Sequence, residues 1–303
     1  MNHRPFPRGV RVADAERFVY TRGRLLERRR LDLLLHGGGP EGVLAALGAY
    51  RNPDGGFGHG LEPDVRSPVS ESLSTLAALD LLAGWGLADH PWFRSGLEWA
   101  ASVSGLDGSL PFVTEASLAW PHAPWVQPAP EGSHVTFGFA AAALRTGFTG
   151  GWATAAVAWC RSRVADPGLS AYAVKYALRF LAADRRAVSD PASDAAITGW
   201  RARLDRDGAL PVEGGADGER LHPWDLAADP WTAREGSGPA GEPARRLFTG
   251  KQLHGDLDRV ILGQQADGGW HVDWPAWCPG QGLDWRGIRT VEVLQLLADA
   301  DRS

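Results

Sequence analysis

The segment His59-Gly60-Leu61-Glu62-Pro63-Asp64-Val65-Arg66 gathers an imidazole, two carboxyls and a guanidinium in one short stretch. Such a set suits acid/base chemistry. A carboxyl that burial keeps protonated can act as a general acid, whereas Arg66 favours the charged form of whichever carboxylate it pairs with. Pro63 stiffens the backbone between the two acids. The same residues also read as a helix cap with an arginine ion pair. As metal ligands they are plausible by type, but His-x-x-Glu-x-Asp is no established metal spacing. No metal and no cofactor is expected.

A second cluster is His271-Val272-Asp273-Trp274-Pro275-Ala276-Trp277, followed by Asp284-Trp285-Arg286. Asp273 between tryptophans is expected in a low-dielectric wall, which suits a protonated acid. Indole faces stabilise a passing cation by roughly 0.5–2 kcal/mol each. The alternative is that Trp274 and Trp277 pack the loop and Asp273 satisfies backbone N–H groups. Asp284 and Arg286 read as a structural ion pair. Two similar loops, His122-Ala123-Pro124-Trp125 and His222-Pro223-Trp224, would floor a pocket, stack on a sugar or simply pack. The catalytic candidates are therefore Glu62, Asp64 and Asp273. The substrate-binding candidates are His59, Arg66, Trp125, His222, Trp224, Trp274, Trp277 and Trp285. His134 reads as a cap-region residue, and Cys160 as core.

These residues need elements to hold them, and the elements repeat. Asp54-Gly55-Gly56-Phe57, Asp107-Gly108-Ser109-Leu110, Asp207-Gly208-Ala209-Leu210 and Asp267-Gly268-Gly269-Trp270 are four versions of one turn. Their intervals of 53, 100 and 60 residues imply five or six units, one of which has lost its marker. Asp bonds its own backbone two residues on, and Gly supplies positive φ. Helical patterns lie on both sides of the turns: 13–35, 40–50, 70–82, 92–102, 135–145, 152–164, 170–183, 192–204, 244–265 and 287–300. The 70–82 helix is read with Ser70 as its cap and Leu73, Leu76, Ala77 and Leu81 as its apolar stripe. Asp80 is its one late acidic residue. No run alternates with period two, so the fold is expected to be all-α.

Gln264-Gln265-Ala266-Asp267-Gly268-Gly269-Trp270 resembles the Gln-x-x-Asp-Gly-x-Trp motif of squalene–hopene-type cyclases. Asn52-Pro53-Asp54-Gly55-Gly56-Phe57-Gly58 resembles the Gly-Gly-Phe turns of protein prenyltransferase β-subunits. The resemblance to this terpene cyclase and prenyltransferase superfamily implies a single (α/α) toroid over residues 1–303, with inner and outer helices around an apolar cavity. It implies prenyl-type substrates. The chain departs from the family in its chemistry. The nearest string to an Asp-x-Asp-Asp acid motif is Asp256-Leu257-Asp258-Arg259, no Asp-Asp dipeptide occurs, and neither cysteine belongs to an Asp-x-Cys zinc pair.

Composition narrows the function further. A net charge of -5 and a mixed surface give no footprint for nucleic acid. Residues 1–30 carry no apolar leader segment and no stretch is long enough to span a bilayer, so a cytoplasmic protein is expected. Two cysteines make no disulfide framework. Fourteen tryptophans against four tyrosines suit an aromatic-lined pocket or a set of packing staples. The Gly-rich stretch 236–241 reads as a mobile lid. The leading expectation is a terpene cyclase-like lyase or isomerase acting on an apolar small molecule. The alternatives are a carbohydrate-active enzyme and a non-catalytic ligand-binding toroid.

Overall fold

A computed structural model describes residues 6–129, 132–232 and 241–300. In chain order its helices are α1 (Val12–Arg22), α2 (Leu25–Leu35), α3 (Glu41–Gly48), α4 (Ser72–Gly84), α5 (Pro91–Val103), α6 (Val135–Thr146) and α7 (Gly151–Arg163). They continue as α8 (Ala171–Ala183), α9 (Arg185–Val188), α10 (Pro191–Arg203), α11 (Pro223–Ala227), α12 (Glu242–Leu247), α13 (Gly250–Leu262) and α14 (Pro279–Ala300). The only sheet among the described residues pairs β1 (Leu210–Pro211) with β2 (Arg220–Leu221), Leu210 opposite Leu221. The fold is all-α, as the missing period-two patterns implied. No helix of the described residues is long and apolar enough to cross a membrane. The chain divides into two compact units, Met1–Tyr50 with His254–Ser303, and Arg51–Leu253. The proposed lid falls mainly on residues 236–240, which lie outside the described residues.

The turns are built as their residues dictate. Asp54, Asp107 and Asp267 each accept the backbone N–H two residues on, at 3.0, 3.0 and 3.2 Å. In the third turn Asp205 takes this role instead of Asp207, accepting from Asp207 and Ala209 at 2.9 Å each. The unit with the missing marker has one in altered form. Asp166-Pro167-Gly168-Leu169 closes with a 2.8 Å bond from the Gly168 N–H to Asp166 Oδ1. Two glycines show why that residue is needed. Gly108 has φ +84 and a Cβ there would lie 2.3 Å from the Ala156 nitrogen of α7. Gly268 has φ +96 and a Cβ would lie 2.2 Å from the Asp14 oxygen of α1.

Three of the turns then dock on the helix that follows them. The N–H of Phe57 donates to Thr75 Oγ1 of α4 (3.0 Å), that of Leu110 to Thr136 Oγ1 of α6 (2.9 Å), and that of Trp270 to Thr290 Oγ1 of α14 (3.1 Å). Tryptophans staple the neighbouring backbone: Trp152 to Gly108 O, Trp200 to Asp166 O, Trp224 to Leu253 O and Trp270 to Val260 O, at 2.7–3.2 Å. For these four, packing explains the indole. Gln264 uses its whole amide. It donates to Gly268 O (2.9 Å) and Arg11 O (3.0 Å) and accepts from the Arg11 N–H (2.8 Å).

Several boundaries correct the sequence reading. The expected helix over 13–35 breaks at Gly23, whose backbone is extended (φ -75, ψ 154) and so close to α14 that a Cβ on Gly287 would lie 3.2 Å from the Gly23 Cα. The expected helix over 244–265 splits because Thr249 and Gln252 form a reciprocal cap, Thr249 N–H to Gln252 Oε1 at 2.9 Å and Gln252 N–H to Thr249 Oγ1 at 3.2 Å. The last helix begins at Pro279, so Asp284, Trp285 and Arg286 lie on it. Arg286 pairs with Asp267 at 2.8 Å rather than with Asp284. Ser70 does not cap α4. Its hydroxyl is committed to Asp54 Oδ1 (2.8 Å), and Glu71 caps the helix instead.

Gly108→Ala should cost at least ~2 kcal/mol in urea unfolding, because it adds both left-handed strain and a backbone clash. Gly147→Ala, at φ +64 with nothing within 4 Å, should cost only about 1 kcal/mol. Equal losses would show that the close approach to α7 contributes nothing.

Candidate functional site

The 59–66 segment and the 120–126 loop, both in the Arg51–Leu253 unit, form one clip. Val65 bridges His122, the Ala123 N–H donates to Asp64 O (2.8 Å) and the Arg66 N–H to Pro121 O (2.9 Å). Within it the Trp125 indole N–H donates to Asp64 Oδ2 at 2.7 Å, and Asp64 is buried. The two candidates thus meet directly. The Glu62 N–H donates to Ser74 Oγ (3.1 Å), which ties Glu62 to the first turn of α4. His59 adopts a left-handed backbone (φ 57), and its ring is held by Asn52 Oδ1 at 3.0 Å.

The other candidates are placed elsewhere. Trp224 is buried on α11, and the His222 N–H donates to Asp225 Oδ2 (3.0 Å) at that helix's start. Both therefore serve local packing and capping. In the unit formed by the chain's two ends, Trp274 and Trp285 make an edge-to-face pair with centroids 5.2 Å apart, and Trp277 is half-buried. Asp273 is exposed. The expected low-dielectric wall around it is not present, because Trp274 turns to Trp285. Among the described residues no cluster of His, Cys, Asp and Glu could hold a metal ion.

The structure adds a wall that the sequence reading did not identify. On α4 the residues Ser72, Ser74, Thr75, Leu76, Ala78, Leu79 and Leu82 are buried, while Leu73, Ala77, Asp80 and Leu81 stay half-open. The apolar stripe is thus largely half-open, with only Leu76 of its four residues buried. On α8 the open stripe is Tyr172, Lys175, Tyr176 and Arg179, spaced i, i+3, i+4 and i+7. The two stripes face each other, because Arg179 Nη1 reaches Asp80 Oδ2 at 2.6 Å. Gly138 of α6 permits the approach. A Cβ there would lie 2.8 Å from Leu76 and 3.1 Å from Tyr176.

The groups on this wall sit deep enough for burial to act on their protonation. Burial raises the Asp80 carboxyl above its usual range, opposed by the Arg179 guanidinium beside it. Burial and Glu219 raise the Tyr172 phenol, whose O–H donates to Glu219 Oε1 at 3.0 Å. His134, at the start of α6, stacks with Tyr172 and Tyr176 and lies 5.2 Å from the Phe112 ring. Burial, aided by Lys175, lowers its imidazole to about 4. Yet Asp80 keeps 30% of its side chain exposed, and His134, Tyr172, Tyr176 and Arg179 are only half-buried. Groups that are deep yet keep accessible surface suit the lining of a cleft. At its charged end Arg179 stacks over Tyr176 (5.0 Å) and donates to Ala228 O, while Asp229 pairs with Arg145 at 2.8 Å. A separate cavity of about 440 Å³ opens beside α8 and α12; none of the catalytic or substrate-binding candidates lines it, although Gly241 from the 236–241 stretch does. The signal for the cleft was present in Tyr172-x-x-Lys175-Tyr176-x-x-Arg179 and in Asp80 on an otherwise apolar helix.

Glu71 is a further residue that the sequence reading missed. It is fully buried and accepts the N–H groups of Leu73 (2.6 Å) and Ser74 (2.5 Å). Burial raises its carboxyl to about 7, against those hydrogen bonds.

Comparison with known proteins bears on the fold. No protein-family model matches the chain, and no curated protein does. Solved structures do match over nearly the whole length. Type II terpene cyclase MstE from Scytonema is 14% identical, with a TM-score of 0.55 over 96% of this chain and 97% of that one. A variant of MstE in complex with its substrate, geranylgeranyl dihydroxybenzoate, gives 14% and 0.54 over the same shares. A protein from Actinoplanes is 17% identical, with a TM-score of 0.53 over 96% and 98%. At these identities the likeness shows a shared fold, the terpene cyclase-like one implied by the Asp-Gly turns.

Because Glu71 binds a proton more tightly folded than unfolded, it lowers stability as pH rises from its ordinary range near 4.5 to about 7. The wild type should lose up to about 3 kcal/mol relative to Glu71→Gln across that window, with no further change above it. Urea unfolding of both proteins at pH 5 and 7.5 measures the difference. Asp80→Asn should cost about 2 kcal/mol in the same assay, less than a fully buried broken pair because Asp80 is partly exposed.

Proposed function

We propose that the chain is a terpene cyclase-like enzyme. It takes a prenyl-type small molecule into the cleft between α4 and α8 and rearranges it by acid-initiated carbocation chemistry. The observation that carries this reading is the pair of facing open stripes. Leu73, Ala77 and Leu81 offer an apolar wall, and Tyr172 and Tyr176 offer aromatic faces to a cationic intermediate. The fold shared with MstE, whose substrate joins a geranylgeranyl chain to dihydroxybenzoate, supports it. A cleft apolar along one side and charged at Asp80 and Arg179 suits a molecule with a hydrocarbon tail and a polar head.

The acid candidates remain Glu62 and Asp64. Glu62 is tied to Ser74, the neighbour of Leu73 at the start of the apolar stripe, so it stands at the mouth of the cleft. Asp64 is buried and oriented by the Trp125 indole. Asp273 is the least favoured of the three, since it is exposed rather than enclosed by an apolar wall. Asp80 fixes Arg179 over Tyr176 and so shapes the polar end.

Incubation with geranylgeranyl diphosphate and geranylgeranyl dihydroxybenzoate, analysed by mass spectrometry, should give cyclised isomers of unchanged mass. Glu62→Gln or Asp64→Asn should lower turnover by at least ~100-fold with stability changed by only about 1 kcal/mol. Turnover unaffected by either change removes the proposed acids. Release of sugar products from oligosaccharides instead would favour the carbohydrate-active alternative.

A further inference from the structure

We infer that His134 is the catalytic base of this cleft, the group that takes the proton ending the reaction. The inference rests on the cyclase-like reading above, and four observations within the Arg51–Leu253 unit carry it. The imidazole is half-open in a deep site, enclosed by the rings of Phe112 (centroids 5.2 Å), Tyr176 (5.5 Å) and Tyr172 (6.0 Å). Among the described residues neither ring nitrogen has a hydrogen-bond partner, so a lone pair is available to a ligand. The charged neighbours act against standing protonation. Lys175 from α8 and the positive end of the α6 dipole keep the ring neutral, while Glu219, on the loop leading into β2, is held by the Tyr172 hydroxyl and the Ala216 N–H. Finally, the side chain does not cap α6, so no structural bond occupies it.

These features suit a proton acceptor that must be empty at the start and must not keep its proton. In the step, the C–H bond beside the cationic carbon breaks and its electron pair becomes the new C=C π bond. The proton moves to a ring nitrogen of His134. A carboxyl donates one proton at the start and His134 receives one at the end, so the net reaction is an isomerisation. The aromatic faces of Tyr172, Tyr176 and Phe112 stabilise the transient imidazolium. Lys175 and the helix dipole then favour its release to solvent.

The test uses the full chain with geranylgeranyl diphosphate and geranylgeranyl dihydroxybenzoate. Products of the wild type, His134→Gln and His134→Asn are compared by mass spectrometry, and the His134 ring nitrogens of the wild type are followed by 15N NMR. The expected result is at least ~100-fold less alkene product in the variants, with the remaining product one water heavier than the substrate. The wild-type ring should be neutral at pH 7 and its resonances should move when a probe binds. If both variants fail to fold, these resonances decide. A ring charged at pH 7, or unmoved by a probe that the enzyme converts, overturns the inference. Variants that make the same alkene at the wild-type rate overturn it too, and leave the cyclase reading standing. Binding without conversion, or neither binding nor conversion by the wild type, overturns both.

Discussion

One buried hydrogen bond organises the rest of the molecule. After three of the four Asp-Gly turns the next backbone N–H is carried into the interior, where an unpaired donor costs about 1–3 kcal/mol. Thr75, Thr136 and Thr290 meet that need at Phe57, Leu110 and Trp270. The bond fixes both the depth and the rotation of α4, α6 and α14 relative to their turns. On α4 this rotation sends Thr75 to the buried side and leaves Leu73, Ala77 and Asp80 facing open space. The wall of the proposed cleft is therefore set by a contact on the opposite side of the helix.

The cleft divides its burden between two kinds of interaction. Its α4 side is mostly hydrocarbon and makes no demand for partners. Its α8 side carries charge and phenol, each group held by another: Arg179 by Asp80, Tyr172 by Glu219, with Arg145 and Asp229 as a second ion pair nearby. Buried ion pairs contribute little net stability after desolvation, but they fix geometry. His134 differs from these groups. It is half-open, enclosed by rings, and has no polar partner among the described residues.

The fold was legible because its punctuation is chemical. Asp and Gly at fixed offsets mark the turns whatever surrounds them. Where Pro167 separated Asp166 from Gly168, the same Asx bond formed under a different spelling, which a search for Asp-Gly passes over. The site was harder to read. Leu73, Ala77 and Leu81 fit a core stripe, and a wall made for an apolar ligand has the same pattern as a core. Only tertiary packing distinguishes them. The same ambiguity affected the caps. Ser70 beside Glu71 invited the usual choice, but Asp54 had claimed the Ser70 hydroxyl. Thr249-x-x-Gln252 was a readable capping box inside what periodicity joined into one helix. The tryptophan-rich loops drew attention by composition, yet Trp224 proved to be a staple and Asp273 an exposed carboxylate.

The Gln264 amide has a consequence for biosynthesis. It binds both backbone groups of Arg11, and the two residues are 253 positions apart. The unit they belong to is made from both ends of the chain, so α1 emerges from the ribosome long before its partners exist. At ordinary translation speeds of about 5–20 residues per second, that delay is roughly ten to fifty seconds. During it Phe18 and Val19, which end up buried, have no native surface from α14 to cover them. The Arg51–Leu253 unit is one continuous segment and can begin to fold during that wait. Until α14 is made, the apolar side of α1 lacks its native cover, which is the kind of surface a holdase chaperone recognises.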